Sequence, residues 1–413
     1  MLAYYLATPP REREACGTSV LRSGREPRED VLAGVLREIR TDVVGSLLRP
    51  RRWQEARQLL DEGKLAPEAF AEIEIQCVRE LIELQERVGL DVVTDGEVSR
   101  LNFQDSFGLA VAGYDATPDT LRLHVQRSAG TAPMQRFDMP DLQQAGTPVS
   151  RRRPVVNRLK LANNIVHAEY KRASALAQKP VKVSLIGPDR ISQRFDHEGS
   201  KAVYADVQAF VDDVVAIERQ MIAGAVEAGC RYIHIDAPGF TAYADGPSLA
   251  AMRARGEDPD ANLARSIAAE AALVRGFDGV TFGIHLCRGN QRSMWHREGT
   301  YDAIAERLFN ELPHDRLLLE YDSPRAGGFE PLRFVPKDKV VVLGLVSTKV
   351  PELESVDDLK RRVEAASKYI SLDQLAISPQ CGFASDVVGN LVSEDDQRRK
   401  LERVVETARQ VWG

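Results

Sequence analysis

Cysteine is scarce in this chain: five residues in 413, namely Cys16, Cys77, Cys230, Cys287 and Cys381. The odd number and wide spacing exclude a small disulfide-stapled framework and suit a reducing compartment, so a cytoplasmic location is expected. Long apolar runs are missing too. No stretch reaches the roughly twenty residues that a membrane-crossing helix needs. The opening Met1-Leu-Ala-Tyr-Tyr-Leu6 has neither a charged start nor a long apolar stretch, so no secretory leader is expected. Neither sign of charge dominates: 55 Lys and Arg against 61 Asp and Glu leave a formal net charge of −6, with the basic residues scattered. That pattern gives no footprint for nucleic acid or an anionic membrane surface, and it leaves small molecules as the expected partners. A Gly-rich phosphate loop after the first predicted strand is also absent, which counts against a dinucleotide-binding sheet.

What is there is an alternation of strand and helix. Short β-branched runs ending in Gly, Asp or Pro predict eight strands, over residues 40–46, 90–96, 181–187, 232–236, 281–287, 316–321, 339–346 and 374–381. Between them, 67–88 repeats apolar residues at Phe70, Ile73, Val78, Leu81 and Leu84, and 204–227 does so at Val207, Phe210, Val211, Val214 and Val215 before Gly229. Ser355-x-x-Asp358 and Ser393-x-x-Asp396 read as capping boxes for two later helices. Eight such units in about 375 residues predict an α/β protein of the (β/α)8 TIM-barrel type, whose closure removes every sheet edge. A doubly wound sheet is the alternative. The expected organisation is a loosely held polar extension over 1–36 and one barrel domain over 37–413. Residues 101–155 then form an insertion near the barrel mouth, carrying the alternating Leu121-Arg-Leu-His-Val125 and the basic Arg151-Arg-Arg153.

In such a barrel the C-terminal ends of the strands face the active site, so polar residues there are read for function first. Ser46, Glu97, Asp236, His285, Cys287, Glu320, Lys349 and Cys381 all fall at or just beyond predicted strand ends. Alternation along a strand puts His285 and Cys287 on one face, and Cys381 ends a similar run nearly a hundred residues later. An isolated cysteine is commonly only a small buried hydrophobe. Here the His-x-Cys spacing, the strand-end placement and the matching second cysteine together point to a metal site, and soft thiolates with an imidazole select zinc. Glu320, after Leu317-Leu-Leu319, is the carboxylate best placed to complete a tetrahedron. Glu97 and Asp236 could cap helices or pair with residues such as Arg100; as a functional pair they suit a substrate ammonium group. His234 reads as a hydrogen-bonded interior histidine, while Arg288, Asn290 and Arg292 suit an anionic substrate group or a solvated loop.

These residues resemble the catalytic domain of cobalamin-independent methionine synthase, in its smaller single-barrel branch, over about residues 38–413. The resemblance lies in Val44-Gly-Ser46, Thr94-Asp-Gly-Glu97, Leu185-Ile-Gly-Pro188, His234-Ile-Asp236, Gly283-Ile-His-Leu-Cys-Arg-Gly-Asn290, Leu319-Glu-Tyr-Asp322 and Ser378-Pro-Gln-Cys-Gly-Phe383, in that order. It implies that His285, Cys287, Glu320 and Cys381 are zinc ligands and that Ser46, Glu97 and Asp236 hold the amino acid end of homocysteine. The reaction implied is methyl transfer to the homocysteine thiol from 5-methyltetrahydrofolate, giving methionine. Two departures from the large enzyme are expected: at this length no second barrel is expected beside this one, and Lys349 stands after the seventh predicted strand where the family carries a histidine tied to proton transfer. The resemblance also admits related chemistries. These are transfer to another thiol, as in epoxyalkane:coenzyme M transferases, or methyl transfer from a corrinoid protein. A noncatalytic zinc-binding or thiol-sensing barrel is the reading outside enzymology. Oligomeric state is left open.

Overall fold

Six of the predicted runs become strands of one parallel sheet in the computed structural model, which describes residues 38–115 and 154–413. They are β3 (Lys182–Ile186), β4 (Tyr232–Asp236), β5 (Thr281–Leu286), β6 (Arg316–Glu320), β7 (Val340–Val346) and β8 (Leu375–Pro379), hydrogen-bonded in that order. Nearly every residue of these strands is buried, as expected when helices cover a parallel sheet. The register places Asp236 beside His285, so neighbouring strands deliver adjacent polar ends.

The first two predicted strands are reduced to single parallel bridges. Thr41 pairs with Ile377 of β8, and Val93 pairs with Val181 just before β3, so the two segments lie along the two edges of the six-stranded sheet. The physical reason is that side chains replace the ladder between them. The Asp91 carboxylate accepts from the amides of Arg40 and Thr41, both at 2.9 Å, and the Thr41 hydroxyl accepts from the Asp91 amide at 2.8 Å. Further along, Thr94 donates its hydroxyl to the Gly45 carbonyl at 2.7 Å, and the Leu47 amide donates to the Gly96 carbonyl at 3.0 Å.

Helices fall where the apolar repeats place them. Pro67–Val88 starts on a proline, whose missing N–H costs nothing in a first turn, and ends at Gly89, whose φ of 96° only glycine adopts easily. The second predicted helix begins three residues later than its pattern, at Val207–Glu227, because Asp206 caps it by accepting from the Ala209 amide. Of the two expected capping boxes, Ser393 with Asp396 is complete. The other is half formed: Ser355 accepts from the Asp358 amide, but the Asp358 carboxylate turns to the Ser355 hydroxyl and to Arg361 instead of the capping backbone.

Two large apolar clusters pack the helices against the sheet, one around Trp53, Phe70, Phe309 and Leu401, the other around Phe195, Phe210, Ile233 and Met221. The N-terminal ends of the strands are polar instead. Asp42 accepts from Lys182 at 2.6 Å, from the Tyr232 hydroxyl at 2.6 Å and from Arg316 at 3.3 Å, all of them buried. Burial opposes ionisation of Asp42, but the Lys182 and Arg316 charges and these hydrogen bonds overcome it and hold the carboxyl at about 2.

The extension over 1–36, the 121–125 segment and Arg151–Arg153 lie outside the described residues. The flanks of the predicted insertion are described, and they pair: β1 (Val111–Tyr114) runs antiparallel to β2 (Val155–Leu161). No helix among the described residues is long and apolar enough to cross a membrane.

Candidate active site

The C-terminal strand ends open into a cavity of about 1240 Å³, and Ser46, Glu97, Asp236, His285, Cys287 and Cys381 all line it. At its floor the ligand atoms of His285, Cys287 and Cys381 lie within 4.8 Å of one another, and all three residues are buried. The two sulfurs are 3.6 Å apart. His285 Nδ1 lies 3.3 Å from the Leu318 carbonyl, which can only accept, so Nδ1 carries a hydrogen and Nε2 is the nitrogen that a neutral ring would offer to a metal. That Nε2 is buried without a hydrogen-bond partner. The neighbouring Cys381 sulfur and burial both push the Cys287 thiol well up, so a bound cation is what would favour its thiolate. Thr241 donates to the Cys287 carbonyl at 2.7 Å, and the Gly289 amide donates to its sulfur at 3.2 Å, which fixes the turn after β5.

Glu320 does not join this cluster. Its carboxylate accepts from the Arg288 amide at 2.7 Å and pairs with Arg325, which also reaches Asp322 at 2.9 Å. Burial opposes its ionisation, but Arg325, Lys349 and Arg288 outweigh that and hold it at about 2. The sequence pattern places Glu320 at the right strand end; what it could not reveal is a competing arginine in the irregular stretch after β6.

Above the thiols, Glu97 is held in an unusual pose. Its φ is 53°, a left-handed conformation rare outside glycine, and it follows Gly96 at 74°. The Asp95 carboxylate accepts from its amide at 2.9 Å, and Arg49 donates to its carbonyl at 2.6 Å, so the strained backbone is clamped from both sides. One carboxylate oxygen accepts from Ser184 at 2.8 Å; the other is buried without a hydrogen-bond partner, with Arg100 3.9 Å away. Burial, reinforced by the Asp236 charge and opposed by Arg100 and Arg49, lifts the Glu97 carboxyl to about 7. Asp236 goes the other way. Burial opposes its ionisation, but the hydrogen bond from His234 Nε2 at 3.0 Å and the nearby imidazoles keep it low. Burial also holds His234 neutral, down to about 4, in keeping with its reading as an interior histidine. Two glycines make room for these groups: a Cβ at Gly45 would strike the Glu97 carboxylate, and one at Gly382 would strike the Ser46 hydroxyl.

Arg288 and Lys349 are not among the residues lining the cavity. The Arg288 guanidinium donates to the carbonyls of Gly299 and Glu320, at 2.8 and 3.0 Å, and lies over the Tyr301 ring at 4.1 Å. It holds the loop between β5 and β6. The Lys349 ammonium is buried and donates to Asn290 Oδ1 at 3.1 Å, one side chain behind the cavity wall. Sequence reasoning missed the polar frame around it: Asn390 donates to Asn290 at 3.0 Å and to the Thr348 carbonyl at 2.9 Å. It missed Arg190, Gln193 and Arg297 on the cavity wall as well. Only Arg190 left a signal, as the second residue after Gly187-Pro188 at a strand end.

The fold and the site together define a parallel α/β protein with a candidate His-Cys-Cys metal centre at its strand ends. Residues 39–410 match the family model described as the cobalamin-independent synthase catalytic domain, and the chain belongs to that family. The uncharacterized protein YxjH of Bacillus subtilis (strain 168) is 35% identical over 90% of this chain and 94% of its own length. The methionine synthase of Pyrococcus abyssi is 24% identical over 83% of this chain and 86% of its own length. Among solved structures, a B12-independent methionine synthase from Shewanella sp. W3-18-1 in complex with selenomethionine shares the fold with a TM-score of 0.66. It is 18% identical, covering 90% of this chain and 97% of that one.

Proposed function

We propose that this chain is a zinc-dependent methyltransferase that activates the thiol of homocysteine and methylates it from a reduced folate, 5-methyltetrahydrofolate, to form methionine in the cytoplasm. The bridges at Thr41 and Val93, on the two edges of the parallel sheet, support a closed (β/α)8 barrel made by one domain over 37–413. The observation that carries the functional reading is one cavity holding both a nitrogen–sulfur–sulfur donor set and the Glu97 and Asp236 carboxylates.

A metal fits these residues: a buried imidazole nitrogen lacks any partner, and it faces two thiols whose softness favours zinc. Zinc held by His285, Cys287 and Cys381 would supply the Lewis acidity that keeps a substrate thiol deprotonated at neutral pH while leaving it nucleophilic. Glu320 is the proposed fourth ligand, in competition with Arg325. Glu97 and Asp236 bind the ammonium group of the amino acid, and Ser46 hydrogen-bonds its polar end. Such contacts hold the sulfur in line with the methyl group, which is where orientation lowers a transfer barrier. Lys349 is the proposed proton source for the leaving nitrogen, and donation into the cavity requires the Asn290 amide to swing aside. Arg288 serves the substrate through the loop it braces.

The test is methionine formation by the purified zinc-loaded protein with homocysteine and, in parallel, 5-methyltetrahydrofolate or a methylcobalamin-carrying protein. Zinc-dependent methionine with the folate supports the reading; transfer from the corrinoid alone replaces the donor. No methionine from either at full zinc occupancy overturns it.

A further inference from the structure

The wall of the cavity that the mechanism leaves unused is cationic. Arg190 lies just after β3, in the short helix Pro188–Ser192, and Arg297 lies in the loop between β5 and β6; both line the cavity, as does Arg194. Arg190 Nη1 and Arg297 Nη2 each approach the same acceptor, Gln193 Oε1, and each stops at 3.5 Å. A neutral amide oxygen at the limit of hydrogen-bond reach is a weak partner for two guanidinium groups. The Nε atoms of both arginines are buried with no partner at all.

No carboxylate among the described residues forms an ion pair with either side chain. Asp189 acts on both electrostatically, but its oxygens are taken by Ser266, by Gln193 at 3.0 Å and by Tyr243 at 3.4 Å. Arg297 spends one nitrogen on the Pro238 carbonyl, which fixes its position. Burial and the Arg194 and Arg297 charges together outweigh the Asp189 charge and press the Arg190 guanidinium down to about 9. An arginine fork satisfies planar oxyanions better than any other group, two nitrogens to two oxygens.

We propose that Arg190 and Arg297 form an oxyanion subsite, with Gln193 Oε1 marking the place where a carboxylate or phosphate oxygen of the methyl donor docks. The inference rests on the proposed methyl transfer for the donor's role, but the anion site itself is tested without turnover. The cavity, at about 1240 Å³, is far larger than an amino acid acceptor needs, so a second, larger substrate has room to reach this wall. Both arginines line the same cavity as His285, Cys287 and Cys381, so an anion bound to them lies within the same site as the proposed metal.

The test uses the full metal-loaded chain without thiol and titrates it calorimetrically with glutarate, a dicarboxylate, and separately with pyrophosphate. Saturable binding of either probe is expected, weakened at least about tenfold in Arg190→Gln, as befits loss of a charge-assisted pair. It should be unchanged in Arg398→Gln on the exposed face of the C-terminal helix. Arg297→Lys, which keeps the charge and loses the fork, weakens binding by a smaller factor and guards against a folding defect in the first variant. Preference for glutarate assigns a carboxylate-bearing donor, and preference for pyrophosphate a phosphate-bearing one. Binding by neither, or equal binding in Arg190→Gln and the unaltered chain, overturns the subsite. Anion binding in a protein that makes no methionine would leave the subsite standing and remove only the methyl-transfer reading.

Discussion

The two ends of the sheet carry similar residues and use them differently. At the N-terminal ends, Asp42 is surrounded by Lys182, Tyr232 and Arg316, and none of their polar atoms is left without a partner. At the C-terminal ends, His285 Nε2, one Glu97 oxygen, and the Nε atoms of Arg190 and Arg297 are buried and unmatched. Satisfied buried charge fixes a structure; unsatisfied buried charge is a cost that a ligand can recover. His314 is the exception at the lower end, with both ring nitrogens unpartnered, and burial keeps it neutral at about 3.

Breaking the comparison at the upper end gives the largest effect. Cys381→Ser removes one of the three proposed ligands, so metal affinity should fall by more than the roughly 10–100-fold seen for outer-shell partners, and methyl transfer should vanish with it. Metal stoichiometry by plasma emission checks this, and a full complement of zinc in the variant excludes Cys381 as a ligand. Breaking it at the lower end should cost stability alone. Asp42→Asn leaves Lys182 and Arg316 buried without their counter-charge, a loss of about 3–5 kcal/mol in denaturant unfolding with bound metal unchanged. The sign with pH follows from the depressed carboxyl. Its contribution is complete above the ordinary aspartate range and drains away as pH falls toward about 2.

The smallest effect sharpens the acceptor end. Glu97 is lifted to about 7, and only its ionised form attracts an ammonium group. Homocysteine affinity should therefore weaken by up to about tenfold per pH unit as pH falls below that value, once the carboxyl is mostly protonated. Glu97→Gln should weaken binding at pH 8, flatten this profile and leave the metal in place. A variant profile that still bends near neutrality assigns the titration to another group.

Much of this was legible in the residues. Alternation along β5 put His285 and Cys287 on one face, and the strand-end rule collected Ser46, Glu97, Asp236 and Cys381 around one cavity. What stayed hidden depends on irregular backbone. Asp91 and Thr41 replace a ladder with side-chain bonds, so two β-like segments keep only one bridge each. Arg325 captures Glu320 from an irregular stretch, and the Gly299 carbonyl draws Arg288 away from the cavity. No periodicity records such contacts, because they are set by where a loop ends in space and not by the face of a strand or helix.

At the upper end, the reading stands or falls on whether His285, Cys287 and Cys381 hold zinc and present it to a substrate thiol. Zinc X-ray absorption on the loaded protein, before and after homocysteine, tests it most directly. The account predicts a first shell containing one imidazole and two sulfurs, with a third zinc–sulfur bond on addition of homocysteine. A first shell that homocysteine leaves unchanged, or a protein that takes up no zinc, would contradict it.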